Sequence, residues 1–170
     1  GMVPQSIQKP LSALEKRGNP WGKMEKKRAD WTKDLPKECN VKMIEKGETA
    51  ETLFFVDSIT SYDDRMQNIG RATAKILSAA GIDFGILGSL EKDSGNEVRR
   101  FGEEMLFQDL KSSNTEEIIN SGVKNIVTAD PHAFNALKND YKGLPPVEHI
   151  SRTIVKSVKA GTIKLKGVED

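Results

Sequence analysis

The sequence predicts an α/β domain: a mainly parallel four-stranded sheet with helices on both faces, preceded by an irregular N-terminal arm. Three observations predict it. Short apolar runs rich in strand formers, "TLFFV", "FGILG" and "NIVTA", recur after residue 51. Stretches with apolar residues at helical spacing lie between them. Each intervening stretch is also long enough for the crossover that parallel pairing needs. The 170 residues suit one such domain with a real core and an appended segment.

Residues 1–50 form the expected arm, with Pro4, Pro10, Pro20 and Pro36, many lysines and little apolar periodicity. "LSALEKRG" could make two helical turns ending at Gly18 and "MEKKRADWTKDL" a further short helix, with Trp21 and Trp31 as anchors. Residues 51–170 form the domain. Its strands are expected near 52–57, 83–88, 124–129 and 146–150. The first helix carries Met66, Ile69, Thr73, Ile76, Leu77 and Ala80 on one face and stops at Gly81. The next carries Val98, Phe101, Met105, Leu106 and Leu110. A separate "SNTEEIINSG" helix is capped by Asn114 or Thr115 and closes on Gly122. Then come a helix at "AFNALKNDY", the fourth strand at "PVEHI", a helix near "RTIVKSVKAG" and a terminal "TIKLKG".

Net charge is +1 with 30% charged residues, so no polyelectrolyte character argues for nucleic acid. Basic residues are nevertheless uneven: residues 1–33 hold eight Lys/Arg against three acids, and 152–166 hold five and no acid. These suit solvated surfaces or docking onto an acidic partner. The single cysteine, Cys39, excludes an internal disulfide and, by itself, a thiolate cluster. No apolar run approaches a membrane span and no signal peptide is visible, so a cytoplasmic location is expected. A glycine-rich dinucleotide fingerprint and a phosphate loop are also missing.

In parallel sheets, ligands bind beyond the carboxyl ends of the strands. Asp57-Ser58 follows the first strand, Glu91-Lys92-Asp93-Ser94-Gly95 the second and Asp130-Pro131-His132-Ala133 the third, while His149 lies in the fourth. Helix capping accounts for several of these on its own: Ser58 or Ser61, Ser94 or Asn96, and Asp130 all stand where an N-cap belongs, and Pro131 suits a first helical turn. A functional reading makes Asp57, Gly95, Pro131, His132 and His149 a candidate pocket.

Spacing sharpens that reading. Thirty-four residues separate Ser58 from Asp93, 35 separate Ser94 from Asp130, and two separate Asp130 from Ala133. "FFVDSITSYDDR" resembles "FVGCxxSYDxR", "GILGSLEKDSG" resembles "ILGxxExCCG", "RRFGEEMLFQDL" resembles "RRxGxExLFQxL", and "IVTADPHAFNALKNDY" resembles "IVTxCPHCFNxLKNEY". These are motifs of the cysteine-rich CCG domain of heterodisulfide-reductase-type iron–sulfur oxidoreductases, and the resemblance covers roughly residues 12–166. Ser58, Asp93, Ser94, Asp130 and Ala133 stand where that pattern has cluster-ligating cysteines.

The resemblance therefore implies an oxidoreductase ancestry and leaves enzymatic activity open. The expected function is a non-catalytic binding or structural subunit of an oxidoreductase complex, with no cofactor of its own and a protein partner such as a redox subunit. An iron–sulfur cluster held through oxygen and imidazole is disfavoured, because Ser58, Ser94 and Ala133 are poor or impossible ligands. The alternative is a metal-dependent or redox enzyme in which Asp57, Asp93, Asp130 and His132 hold a divalent ion at the former cluster position.

Overall fold

The computed structural model describes residues 5–100 and 102–163. Phe101 and most of the terminal "TIKLKG" lie outside them. The sheet is wholly parallel and has five strands, not four, in the order β1-β3-β2-β4-β5. They are β1 (Lys42–Met43), β2 (Thr52–Phe54), β3 (Phe84–Ile86), β4 (Asn125–Thr128) and β5 (Val147–His149). The additional strand, β1, comes from within the expected arm and pairs Lys42 with Gly85 and Met43 with Ile86. Two residues in "NVKMIEKG" carry no alternating pattern, so periodicity does not reveal them.

Helices cover both faces. They are α1 (Gln5–Arg17), α2 (Ser58–Tyr62), α3 (Gln67–Ala79), α4 (Asn96–Arg100), α5 (Glu104–Ser121), α6 (Pro131–Asn139) and α7 (Ile150–Lys159). The period of two along β2 divides the core. Leu53 and Phe55 join Ile126, Phe107, Leu110, Ile118, Ala133 and Leu137 on one side. Phe54 and Val56 join Val127, Phe84, Ile86, Ala74, Leu77 and Trp31 on the other. A central strand buried on both faces must be apolar throughout, and "LFFV" is.

The second crossover differs from expectation. Asn114 does not cap a separate helix but lies inside the 18-residue α5, and it is fully buried. Met105, expected on the apolar face, is 83% exposed. Within the segment expected as an arm, α1 places Leu14 against the first core layer, and Trp31 packs edge-on to Phe54 at 5.9 Å in the second.

Strand order also defines a crevice. The connection after β2 leads to β3 on one side, and that after β4 leads to β5 on the other. These are adjacent strands whose connections depart in opposite directions, so their carboxyl ends open a gap at the topological switch point.

Candidate functional site

Asp57 is placed by an unusual backbone. It caps α2 at φ 64°, ψ 173°, the sole positive-φ residue other than glycine among those described. That region is nearly glycine-only, and a side chain there costs about 1–3 kcal/mol. In the motif "FVGCxxSYDxR", which this segment resembles, glycine stands at the matching position. The strain is offset by bonds: Asp57 Oδ1 accepts from Ser58 N–H at 2.9 Å and Ser94 N–H at 3.0 Å, and the Ser94 hydroxyl donates to Oδ2 at 2.7 Å.

Beneath this lies a buried ion network that sequence reasoning missed. Arg28 Nε donates to Glu91 Oε2 at 2.8 Å, Arg28 Nη2 to Ser58 Oγ at 3.2 Å, and Asp57 Oδ1 stands 3.9 Å from Nη2. Glu91 also accepts from the Val56 and Asp57 N–H groups at 2.9 and 3.1 Å. The guanidinium lies 5.4 Å from the centre of the Tyr62 ring. Both Arg28 and Glu91 are 2% exposed. Sequence carries no signal for the pair, because they stand 63 positions apart and no local pattern joins them.

Loop 91–95 is clamped from behind. Asn114 Oδ1 accepts from Lys92 N–H at 2.8 Å, while its Nδ2 donates to the Lys92 and Asp93 carbonyls and to Tyr141 Oη, each at 3.1 Å. The Tyr141 hydroxyl donates in turn to the Ser94 carbonyl at 3.0 Å. Gly95 turns the chain at φ +85°, and a Cβ there would lie 2.8 Å from Phe107 Cδ2. Asp93 Oδ2 accepts from Gly95 N–H at 2.9 Å.

Opposite, Asp130 caps α6, its Oδ1 accepting from His132 and Ala133 N–H groups at 2.7 and 3.2 Å, with Pro131 in the first turn. His132 Nδ1 sits 3.5 Å from Asn96 Nδ2. Ala133 is fully buried in the core. His149 does not join this group. It caps α7 through Nδ1, approaches the Ala129 carbonyl at 3.2 Å and meets Phe134 edge-on.

Asp57, Asp93, Ser94, Asn96, Asp130 and His132 line one cavity of about 410 Å³ whose other walls are Pro10, Leu11, Leu14, Pro20, Trp21, Ile59, Glu97 and Val98. Burial pushes Asp57 well up from its ordinary value, and the charges of Asp93, Asp130 and Glu91 push it further. Burial also raises Asp93, against the pull of the Ser58 hydroxyl and Gly95 N–H, and raises Glu91 against the pull of Arg28. Burial alone would lower Arg28, but Glu91, Tyr62 and Asp57 together hold it above its ordinary value.

The divalent-metal alternative is not supported by this geometry. No group of three or more His, Cys, Asp or Glu among the described residues is arranged to hold a metal ion. The carboxylate oxygens are directed instead at amides and hydroxyls.

The chain that builds this sheet and pocket has sequence relatives among redox proteins. Over 96% of its length the chain is 40% identical to a probable iron-sulfur-binding oxidoreductase, FadF, of Bacillus subtilis, and 36% identical to an EtfAB:quinone oxidoreductase of Syntrophomonas wolfei. Over 86% it is 28% identical to a polypeptide of the dihydromethanophenazine:CoB–CoM heterodisulfide reductase of Methanosarcina barkeri. The chain spans 24% of the first two relatives and 36% of the third. A probable membrane-anchored ferredoxin of Chromohalobacter salexigens is 34% identical over 97% of the chain. No protein-family model matches the chain. No solved structure matches it either. Nearly the whole chain is therefore related to part of larger iron–sulfur oxidoreductases. No helix among the described residues is long and apolar enough to cross a membrane.

These relatives correct the expectation of no cofactor, since names that specify iron–sulfur binding and a ferredoxin point to iron–sulfur clusters. The residues of this chain do not fit such a group. Cluster iron is held by thiolates, whereas the pocket offers carboxylates, hydroxyls and an imidazole, and Ala133 offers no donor atom at all. Cys39 lies three residues before β1, outside the pocket lining. No chemical step through a cluster follows from this donor set.

Proposed function

We propose that this chain is a non-catalytic binding or structural module of an iron–sulfur oxidoreductase assembly. Ser58, Asp93, Ser94, Asp130 and Ala133 occupy the positions that hold thiolates in the CCG pattern, and the partner is a redox subunit. One observation carries this reading: the carboxylates around the crevice are engaged by neighbouring amides, hydroxyls and Arg28, while Arg28 Nη1 and the Tyr62 hydroxyl stay buried without a hydrogen-bond partner among the described residues. Asp57 binds two amides and a hydroxyl, Asp130 binds two amides, and Glu91 binds two amides and Arg28. Such engagement stabilises a fixed shape. The relatedness to only a quarter of larger oxidoreductases supports a part that works beside other modules.

The test is isolation of a tagged chain, without oxygen, from its native cells at native levels. The expected result is a fixed-stoichiometry complex in which iron and acid-labile sulfide belong to the partner polypeptide. Stoichiometric iron and sulfide in the separated chain, with visible absorbance bleached by dithionite, would overturn the proposal.

A further inference from the structure

The loop after α1 displays two apolar side chains to solvent. Trp21 is 45% exposed and Met24 41%, whereas Trp31 is 1% exposed. The loop is not slack. Asn19, fully buried, brackets it: Nδ2 donates to the Lys23 carbonyl at 2.9 Å and the Arg17 carbonyl at 3.2 Å, and Oδ1 accepts from Lys23 N–H at 3.0 Å. Gly22 N–H closes the turn on the Asn19 carbonyl at 3.2 Å. The Trp21 ring is tilted against Tyr62 at 6.3 Å and lines the cavity, yet nearly half of its surface stays exposed and forgoes the burial that would otherwise stabilise it.

Cations lie close to it along the chain. Lys16, Arg17, Lys23, Lys26 and Lys27 are all exposed, and Glu25, the acid of residues 16–27, is paired with Lys92 at 2.9 Å. Ile59, 41% exposed, lines the same cavity as Trp21 and extends the apolar surface. Glu15 on α1 and the acids of that cavity, exposed Glu97, half-buried Asp93 and Asp130 and buried Asp57, oppose this field.

We infer that this loop is a peripheral contact with an anionic lipid bilayer: Trp21 and Met24 enter at headgroup depth while the five cations face the lipid phosphates. Tryptophan is favoured at that depth because its ring is apolar and its N–H is polar. Each Lys or Arg near an anionic surface contributes about 1 kcal/mol. Two part-exposed side chains offer far less than the roughly 800 Å² per partner that a stable protein interface buries. A bilayer sets no such minimum, because apolar insertion and surface charge add without a complementary cavity.

The full chain is to be mixed with phosphatidylcholine vesicles with and without phosphatidylglycerol, and binding read by co-sedimentation and tryptophan emission. Sedimentation with phosphatidylglycerol vesicles and a blue shift are expected, both weakened by salt. Trp21→Ala with Met24→Ala should weaken binding by about tenfold or more. Reversing Lys23, Lys26 and Lys27 to Glu should abolish the preference for anionic lipid. Trp21→Phe should keep sedimentation but lose the blue shift, because Trp31 is buried. These positions are exposed, so unchanged circular dichroism is expected for every variant. Equal binding to phosphatidylcholine alone, no sedimentation with either vesicle, or full binding by the Trp21/Met24 variant would overturn the inference. Loop-dependent binding of polyglutamate without vesicle binding would overturn it in favour of an acidic protein partner.

Discussion

Two clusters of opposite charges flank the sheet, and burial makes them different physical objects. Arg28, Glu91 and Asp57 lie beneath the crevice, each no more than 5% exposed. At the far edge, Glu148 of β5 pairs with Lys156 at 2.6 Å and Arg152 at 3.8 Å, with side chains 21%, 62% and 74% exposed. The second pairing has the shorter contact, yet water competes for every partner. In the first, nothing replaces a lost partner, because removing Arg28 or Glu91 strands the other in a low-dielectric interior. Contact distance alone would rank them wrongly.

The comparison breaks most visibly at Arg28. Arg28→Met should cost about 3–5 kcal/mol in urea unfolding by leaving Glu91 unpaired, and adding Glu91→Gln should recover part of it. A loss below about 1 kcal/mol would make the buried network no different from the surface one. Asn114→Ala comes next, at about 2–3 kcal/mol, because two carbonyls and the Tyr141 hydroxyl lose a donor. The same variant should raise hydrogen-exchange rates in loop 91–95.

Asp57→Asn sharpens the electrostatic side. A carboxyl whose folded value lies above its ordinary 3.8 binds its proton more tightly when folded. Its ionisation therefore lowers stability above the raised value, and this penalty fades as pH falls toward 3.8. The variant should melt above the parent at neutral pH and converge with it on acidification. A gap that widens toward acid pH would reverse the assigned shift. Smallest is Glu148→Gln, expected to change stability by less than about 1 kcal/mol in the same unfolding assay.

What is legible in the sequence follows the range of the interactions. The strand–helix alternation, the cap at Asp130 with Pro131 behind it, and the convergence of three loops on one sheet edge all rest on local pattern. β1 escapes because a two-residue edge strand is defined by its neighbour. Asn114 belongs to a residue type that favours caps, while its actual partners, in loop 91–95 and at Tyr141, are more than twenty residues away. Arg28 and Glu91 are hidden for the same reason. Topology places His149 on the right edge, but its capping bond and the Ala129 carbonyl hold the ring away from the crevice. Asp57 is visible as a residue, though its torsion angle is not.

The close approach at Gly85 has a consequence for association. A methyl group there would stand 2.7 Å from the Lys42 carbonyl oxygen, so β1 lies against β3 only because that methyl is missing. Gly85→Ala would act as a wedge, prising the edge strand away and exposing an unsatisfied row of amides and carbonyls along β3. Such a row recruits strands from other molecules. One added carbon would thus turn a sealed sheet margin into a seed for aggregation.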